Sequence, residues 1–452
     1  MKTIFIYICA LLLTLTANVF GQNAVLQCQT QIKAKQYEEA LKTCDEAARN
    51  DPKTGNLGKG LAYAGLFDWS NAIKVYTDMI DGDPRSAEAF VNRGLANYNA
   101  GNFKAAYEDL SQASRIEPRF APRLQPHIDA AREVAELLPV KKATPDITKR
   151  SLTASLAAND LLIGRALKKL NKEPQINIDM LDRQIADKID EAVRINRYNS
   201  HAYSIRAGLF EAQGQNPKAL IEYTKAVALD PFSAGTVSNR GKLYMKVKSY
   251  NLAASDFTKA IELAGTRSSS YYTDRSDAYE KMGMQEKALQ DLTKVIELEP
   301  KNAFGYNMRA SYYERQKDNV KALADLNNAV AVDPKDASSR LARCRLFNEN
   351  KNFNAAAADC TVAIEQKSFI ISDSAMYERA VAYTGSRKFD LAFADLSKAE
   401  ASKMVSLADI FAQRGVIFDA QGKKADAAAA FNAALKEDPN NRKALDGLKG
   451  RK

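Results

Sequence analysis

Histidine is nearly absent from this chain. His127 and His201 are the two in 452 residues, and they stand 74 positions apart. Catalysis and metal binding need converging reactive groups, and no His or Cys cluster here has ligand spacing. Gly58-Lys59-Gly60 lacks the strand–loop–helix setting of a phosphate loop. No catalytic, cofactor-binding or metal residue is therefore assigned, nor a small-molecule substrate. His201, at the start of a helix, is read as solvated. Long apolar runs are missing beyond the first 21 residues. Later apolar residues recur at helical spacing, so no membrane span is expected. Acidic excess is also missing: the formal charge is +10.

The first 21 residues stand apart. Lys2 precedes an uncharged apolar run from Ile4 to Leu15, followed by Ala17-Asn18-Val19-Phe20-Gly21. The run falls short of the roughly 20 residues that span a bilayer. A basic start, an apolar middle and a small residue before the cut form the signal-peptide pattern. Residues 1–21 are expected to be a leader cleaved after Gly21, so that the chain is exported to a periplasm, to the outer envelope or beyond. An uncleaved anchor is the alternative. Basic charge can suit nucleic acid. An exported chain rarely meets nucleic acid, so an anionic envelope polymer or membrane surface is the better match.

The rest of the chain is built on one period. In Ala303 to Pro334, Tyr306, Met308, Ala310 and Tyr313 share one helical face, and Ala322, Leu326 and Ala329 share another. Asp333-Pro334 ends the second helix. The text recurs every 34 or 35 residues, which means a stacked helical solenoid. Three repeats are expected over 22–118 and seven over 200–439, the latter ending at Pro231, Gly265, Pro300, Pro334, Ser368, Met404 and Pro439. Between them, 119–199 is read as a cap helix, a basic linker and an irregular joint. The joint includes one amphipathic helix, Ser151 to Leu170, with Leu152, Leu156, Ile163, Leu167 and Leu170 on a face. Residues 440–452 form a capping helix and tail.

The repeats resemble the tetratricopeptide repeat. That pattern places small residues eighth, twentieth and twenty-seventh, an aromatic eleventh, an aromatic or Leu twenty-fourth, and Pro thirty-second. Ala207, Phe210, Ala219, Tyr223, Ala226 and Pro231 match it, as do Gly415, Phe418, Ala427, Phe431, Ala434 and Pro439. Pro is replaced at Gly265, Ser368 and Met404. The resemblance implies an all-α fold, a tetratricopeptide-repeat helical solenoid coiled as a right-handed superhelix of antiparallel helix pairs. It also implies a concave groove of first helices that binds a protein or peptide.

An arginine holds the seventh place of eight repeats: Arg93, Arg206, Arg240, Arg275, Arg309, Arg343, Arg379 and Arg414. Sixteen residues after seven of them stand Asp109, Glu222, Asp256, Asp291, Asp325, Asp359 and Asp395; Arg414 meets Ala430 instead. One reading is a basic ladder for an acidic ligand. The favoured reading is a set of partly buried ion pairs that tie each first helix to its second. The candidate partner groove comprises Leu57, Leu61, Val91, Leu95 and Tyr98 early in the chain, and Asn239, Lys242, Asn307, Arg345 and Tyr377 later. The apolar early part could hold a peptide or be filled by residues 151–170, and both stay open. The joint from Pro139 to Lys172 carries eight basic residues against Asp146 and Asp160. It is either a solvated linker or a docking site for anionic polymer or lipid head groups. The expected function is a non-enzymatic scaffold for protein partners, with envelope binding through the joint as the rival.

Five cysteines occur, and Cys9 leaves with the leader. Cys28 and Cys44, and likewise Cys344 and Cys360, are sixteen apart and fall in the eighth and twenty-fourth places of their repeats. Those places lie equally far from the turn on antiparallel helices, where the repeat keeps a small residue because the helices approach closely. Disulfides Cys28–Cys44 and Cys344–Cys360 are expected in an oxidising compartment. The bland alternative is four buried thiols.

Overall fold

The protein is described by a computed structural model over residues 19–138, 145–170, 175–265, 269–367, 369–402 and 405–449. The expected leader lies almost wholly outside these residues. Among them are 24 α-helices and no strand. The first six form three antiparallel pairs: α1 Val19–Lys33 with α2 Tyr37–Asn50, α3 Pro52–Gly65 with α4 Trp69–Gly82, and α5 Ala87–Ala100 with α6 Phe103–Ile116. A short 3-10 turn leads to α7 Ala121–Leu137. Two long helices follow, α8 Pro145–Leu170 and α9 Gln175–Ile195. The regular pairs resume with α10 Ser200–Ala212, α11 Asn216–Leu229, α12 Ala234–Lys246, α13 Tyr250–Ala264, α14 Ser269–Met282 and α15 Gln285–Leu298. They continue with α16 Ala303–Arg315, α17 Asn319–Val332, α18 Ala337–Glu349, α19 Phe353–Glu365, α20 Phe369–Gly385, α21 Phe389–Ser402, α22 Leu407–Ala420 and α23 Lys424–Glu437. The last helix is α24 Arg442–Lys449.

Local chemistry sets these boundaries. Asp51, Asp68, Ser86, Asn199, Ser233, Asp318 and Asp336 each cap a helix by accepting a hydrogen bond from a first-turn backbone N–H. Pro52 sits at the start of α3, where its missing N–H costs nothing. The helices of a pair meet most closely between the eighth and twenty-fourth places. A Cβ added to Gly241 would come within 2.8 Å of the Phe257 ring. The large residue on one helix fills what the small residue on the other leaves, which is how the pattern is enforced sterically.

The chain divides into two compact units at Asp291/Leu292. In the first unit, α7 packs on α6 and then on α11, so the first three repeats fold back onto the later ones. Val91 closes a cluster with Leu110, Leu124 and Ile128. Tyr98 is packed among Phe103, Ala130, Val134 and Ile221. Leu57 and Leu61 join Cys28, Tyr37, Cys44 and Ala96, with Met284 against them. The Nζ of Lys35 donates to the carbonyl of Met282, and Lys287 meets Glu38 at 3.2 Å.

This corrects the reading of the early groove. Leu57, Leu61, Val91 and Tyr98 are core residues, covered by α7, α11 and their neighbours, and Leu95 is half-buried. Residues 151–170 do not fill that space: α8 pairs with α9 and stacks on α10. Inside the irregular joint, α8 and α9 thus form a helix pair of their own. Apolar surface seeks any apolar surface, and periodicity cannot say which one it finds. The second unit carries the remaining pairs, from the end of α15 to α24, which stacks on α22 and α23.

Candidate functional site

The arginine ladder is built as fork-on-fork contacts. In Arg93–Asp109, Arg240–Asp256, Arg275–Asp291, Arg309–Asp325, Arg343–Asp359 and Arg379–Asp395, Nε and Nη2 donate to the two carboxylate oxygens at 2.7–2.9 Å. The sequence reading missed a second arm. Nη1 reaches back to the preceding repeat and donates to Thr77, Thr258, Thr293, Asn327 or Thr361 at 2.9–3.3 Å from Arg93, Arg275, Arg309, Arg343 and Arg379. The signal was present: a hydroxyl or amide stands two residues after the acid in Asp256-Phe-Thr258, Asp291-Leu-Thr293, Asp325-Leu-Asn327 and Asp359-Cys-Thr361. These five arginines thus tie their own two helices together and their repeat to the one before.

Two rungs differ. Arg206 gives Nη2 to Asp190 at 2.8 Å, and its expected partner Glu222 lies at 3.7 Å. Glu222 is instead held by Lys225 at 2.8 Å, and Lys225 also bonds Glu133 of α7. That change belongs to the docking of α7 on α11. Arg414, which faces Ala430 in its own repeat, pairs with Glu400 at 2.6 Å. The same docking site takes Thr224, whose hydroxyl lies 2.8 Å from the Tyr98 hydroxyl. Arg240 beside it is buried; burial opposes its charge, but the Asp256 carboxylate outweighs that and holds its pKa above the ordinary value.

The cysteines meet as pairs. Cys28–Cys44 has a Cα separation of 4.9 Å and Cys344–Cys360 one of 5.7 Å, both bonded, and all four residues are fully buried. Gly58 of α3 lies on the first bridge, where an added Cβ would stand 2.5 Å from the Cys28 sulfur and 2.9 Å from that of Cys44.

His127 edges onto the Tyr98 ring at 5.4 Å in the α7 contact. Burial, aided by the nearby Arg123 charge, lowers its pKa from 6.5 to about 4. The fold therefore favours neutral imidazole. Above pH 6.5 folded and unfolded chains are both neutral there; as pH falls from 6.5 to 4 the unfolded chain takes the proton first. Stability should fall by up to about 3 kcal/mol across that window from this group alone. Stability-versus-pH curves of the wild type and His127→Phe should diverge on acidification, and parallel curves would refute the assignment. His201 is half-buried rather than solvated, with Nδ1 3.0 Å from the Ser155 hydroxyl, and burial lowers its pKa.

The later groove residues stay accessible. In the first unit, Asn239 and Lys242 are exposed on α12, with Lys242 3.4 Å from Asp274. In the second unit, Asn307, Arg345 and Tyr377 stand on the successive first helices α16, α18 and α20. Asn307 donates to Ser339 at 2.7 Å; Arg345 pairs with Glu378 at 3.3 Å, and Asn348 donates to the same carboxylate at 3.1 Å. Lys443 of α24 donates to the Tyr377 hydroxyl at 2.8 Å and to Gln413 at 2.9 Å, and burial of its ammonium lowers its pKa. This row of donors and acceptors, held in place by neighbours, can pair with the backbone or polar side chains of a bound segment.

Residues 57–118 match one model of the tetratricopeptide repeat, and residues 235–266, 269–302 and 408–441 match another. Among curated proteins, the chain is 26% identical over 308 residues to the DnaJ homolog subfamily C member 7 homolog of Schizosaccharomyces pombe, covering 62% of this chain and 63% of that one. It is 28% identical over 140 residues to RNA polymerase II-associated protein 3 of Mus musculus, covering 31% and 21%. The chain thus spans less than two thirds of the length of these relatives. A solved tetratricopeptide repeat protein from Parabacteroides merdae is similar at 21% identity and a TM-score of 0.41, over 55% of this chain and 97% of that one.

Proposed function

We propose that this chain, a solenoid of tetratricopeptide repeats, is an exported, non-enzymatic scaffold that holds protein or peptide partners in a bacterial periplasm or outer envelope. The carrying observation is the accessible polar row Asn307, Arg345 and Tyr377 on consecutive first helices of the second unit. The second helices of those repeats put their carboxylates into the buried ladder, so binding chemistry is left to the first helices. Two bonded cysteine pairs suit a compartment where disulfides persist, as does the basic-then-apolar leader.

The mature chain should capture partners from its own envelope fraction, and Arg345→Ala with Tyr377→Ala should abolish capture. Arg345 is exposed, and its loss alone should leave melting unchanged. Tyr377 packs against the Ala380–Leu396 cluster, so the double variant should melt somewhat lower while staying folded by circular dichroism. Undiminished capture by that double variant would move the binding surface elsewhere.

A further inference from the structure

Tyr377 belongs to the accessible row, yet its hydroxyl is taken. Neighbouring first helices of the second unit meet through residues 29 to 32 positions apart: Asn307 with Ser339, Asn441 with Asp409, and Gln413 with Thr384. Lys443 reaches further. Its ammonium bonds Gln413 of α22 and also Tyr377 of α20, 66 positions back. The side chain thus runs from α24 across the first helix α22 to α20, along the line a bound segment would follow.

What receives the ammonium is a set of acceptors. Gln413 is 2% exposed. Its Nε2 donates to the Thr384 hydroxyl at 3.1 Å, and Thr384 donates to the Ala380 carbonyl at 2.7 Å. That chain fixes the amide, so that Oε1 accepts from Lys443 at 2.9 Å. The Tyr377 hydroxyl accepts at 2.8 Å, and the ammonium lies 5.2 Å from the centroid of the same ring. The carboxylates of Glu378 and Asp409 add negative potential. Acceptors, a ring face and negative charge suit an ammonium and repel a carboxylate.

Lys443 can leave without taking its helix along. Asn441 caps α24 by accepting from the Ala444 backbone N–H at 3.1 Å, and it donates to Asp409 at 2.9 Å; Ala444 is fully buried. Lys443 as a whole is exposed, its two hydrogen-bond partners are neutral, and burial lowers the pKa of its ammonium. The contact is therefore weak, and a change of rotamer opens it. We propose that Tyr377 and Gln413 form a pocket for a lysine side chain of the bound segment, and that Lys443 fills it while no partner is present. This rests on the concave row as the partner surface, and it names the partner's chemistry at one position.

The probes are acetyl-Gly-Lys-Gly-amide and its counterparts with norleucine or Glu in the middle. Ligand-observed NMR with the full mature chain reads their binding. The Lys peptide should bind Lys443→Ala about tenfold tighter than wild type, the shift expected where the pocket is free about a tenth of the time. The other two peptides should show no such gain. Adding Tyr377→Phe, which keeps the ring and drops the hydroxyl, should weaken the Lys peptide about tenfold on Lys443→Ala. Lys443→Glu, an acid suited to the first turn of α24, repeats the test should Lys443→Ala unsettle that helix. No tightening on either variant overturns the pocket and leaves Lys443 a structural tie. So does a norleucine or Glu peptide bound as tightly as the Lys peptide. If that happens while Arg345→Ala with Tyr377→Ala still abolishes capture, the lysine pocket falls and the scaffold reading stands.

Discussion

Arg240→Ala is expected to lower stability by about 3–5 kcal/mol, the range for removing one partner of a buried ion pair. Arg240 and Asp256 are 8% and 6% exposed, and the fork contact joins them at 2.8 Å through both nitrogens. Loss of the guanidinium strands the buried carboxylate beside Tyr98 and Tyr244. Arg309→Ala should cost less, about 1–3 kcal/mol, because the side chain of Arg309 is 20% exposed. Replacing both partners, Arg240→Met with Asp256→Leu, should recover most of the loss, since an apolar pair of similar volume removes the desolvation cost. Denaturant midpoints of the three variants measure this. A single substitution costing under 1 kcal/mol would show that the rung is not held by its charge.

The second large effect belongs to Cys28–Cys44. Closing a loop of about 15 residues stabilises by about 3 kcal/mol in the chain-entropy model. Cys28→Ser with Cys44→Ser loses that term and places two hydroxyls in a fully buried site against Gly58. The first repeat should loosen first, because the bridge that holds α1 to α2 is the one removed. Hydrogen exchange in α1 and α2 should rise well before that in α12 or α13. Cys344→Ser with Cys360→Ser should cost a similar amount, but in the middle of the second unit, where repeats pack on both sides. Non-reducing peptide mapping tests the pairing itself, and four alkylatable thiols would refute it.

The ladder was legible because one residue type recurred at one place with an acid sixteen positions later. Its backward arm was missed, although the Asp-x-Thr text was there, because a hydroxyl in a helix usually bonds its own backbone. Arg206 could not be read: Glu222 stands at the right spacing, and only the approach of Glu133 and Lys225 from different helices diverts it. The cysteines were legible for the reason Gly241 and Phe257 were, since the eighth and twenty-fourth places are the tightest point of every pair.

By itself the sequence determined the helix pairs, their turns and the contacts inside a repeat. Those depend on spacing along one chain, which periodicity encodes directly. Only the tertiary structure decided that the first three repeats fold back on α11, that Tyr98 is core and that α8 leaves its leucines outside. Hydrophobic burial is non-directional. An apolar face announces that it will be covered, and which of several equally apolar surfaces covers it is settled by shape and by the polar contacts at the rim.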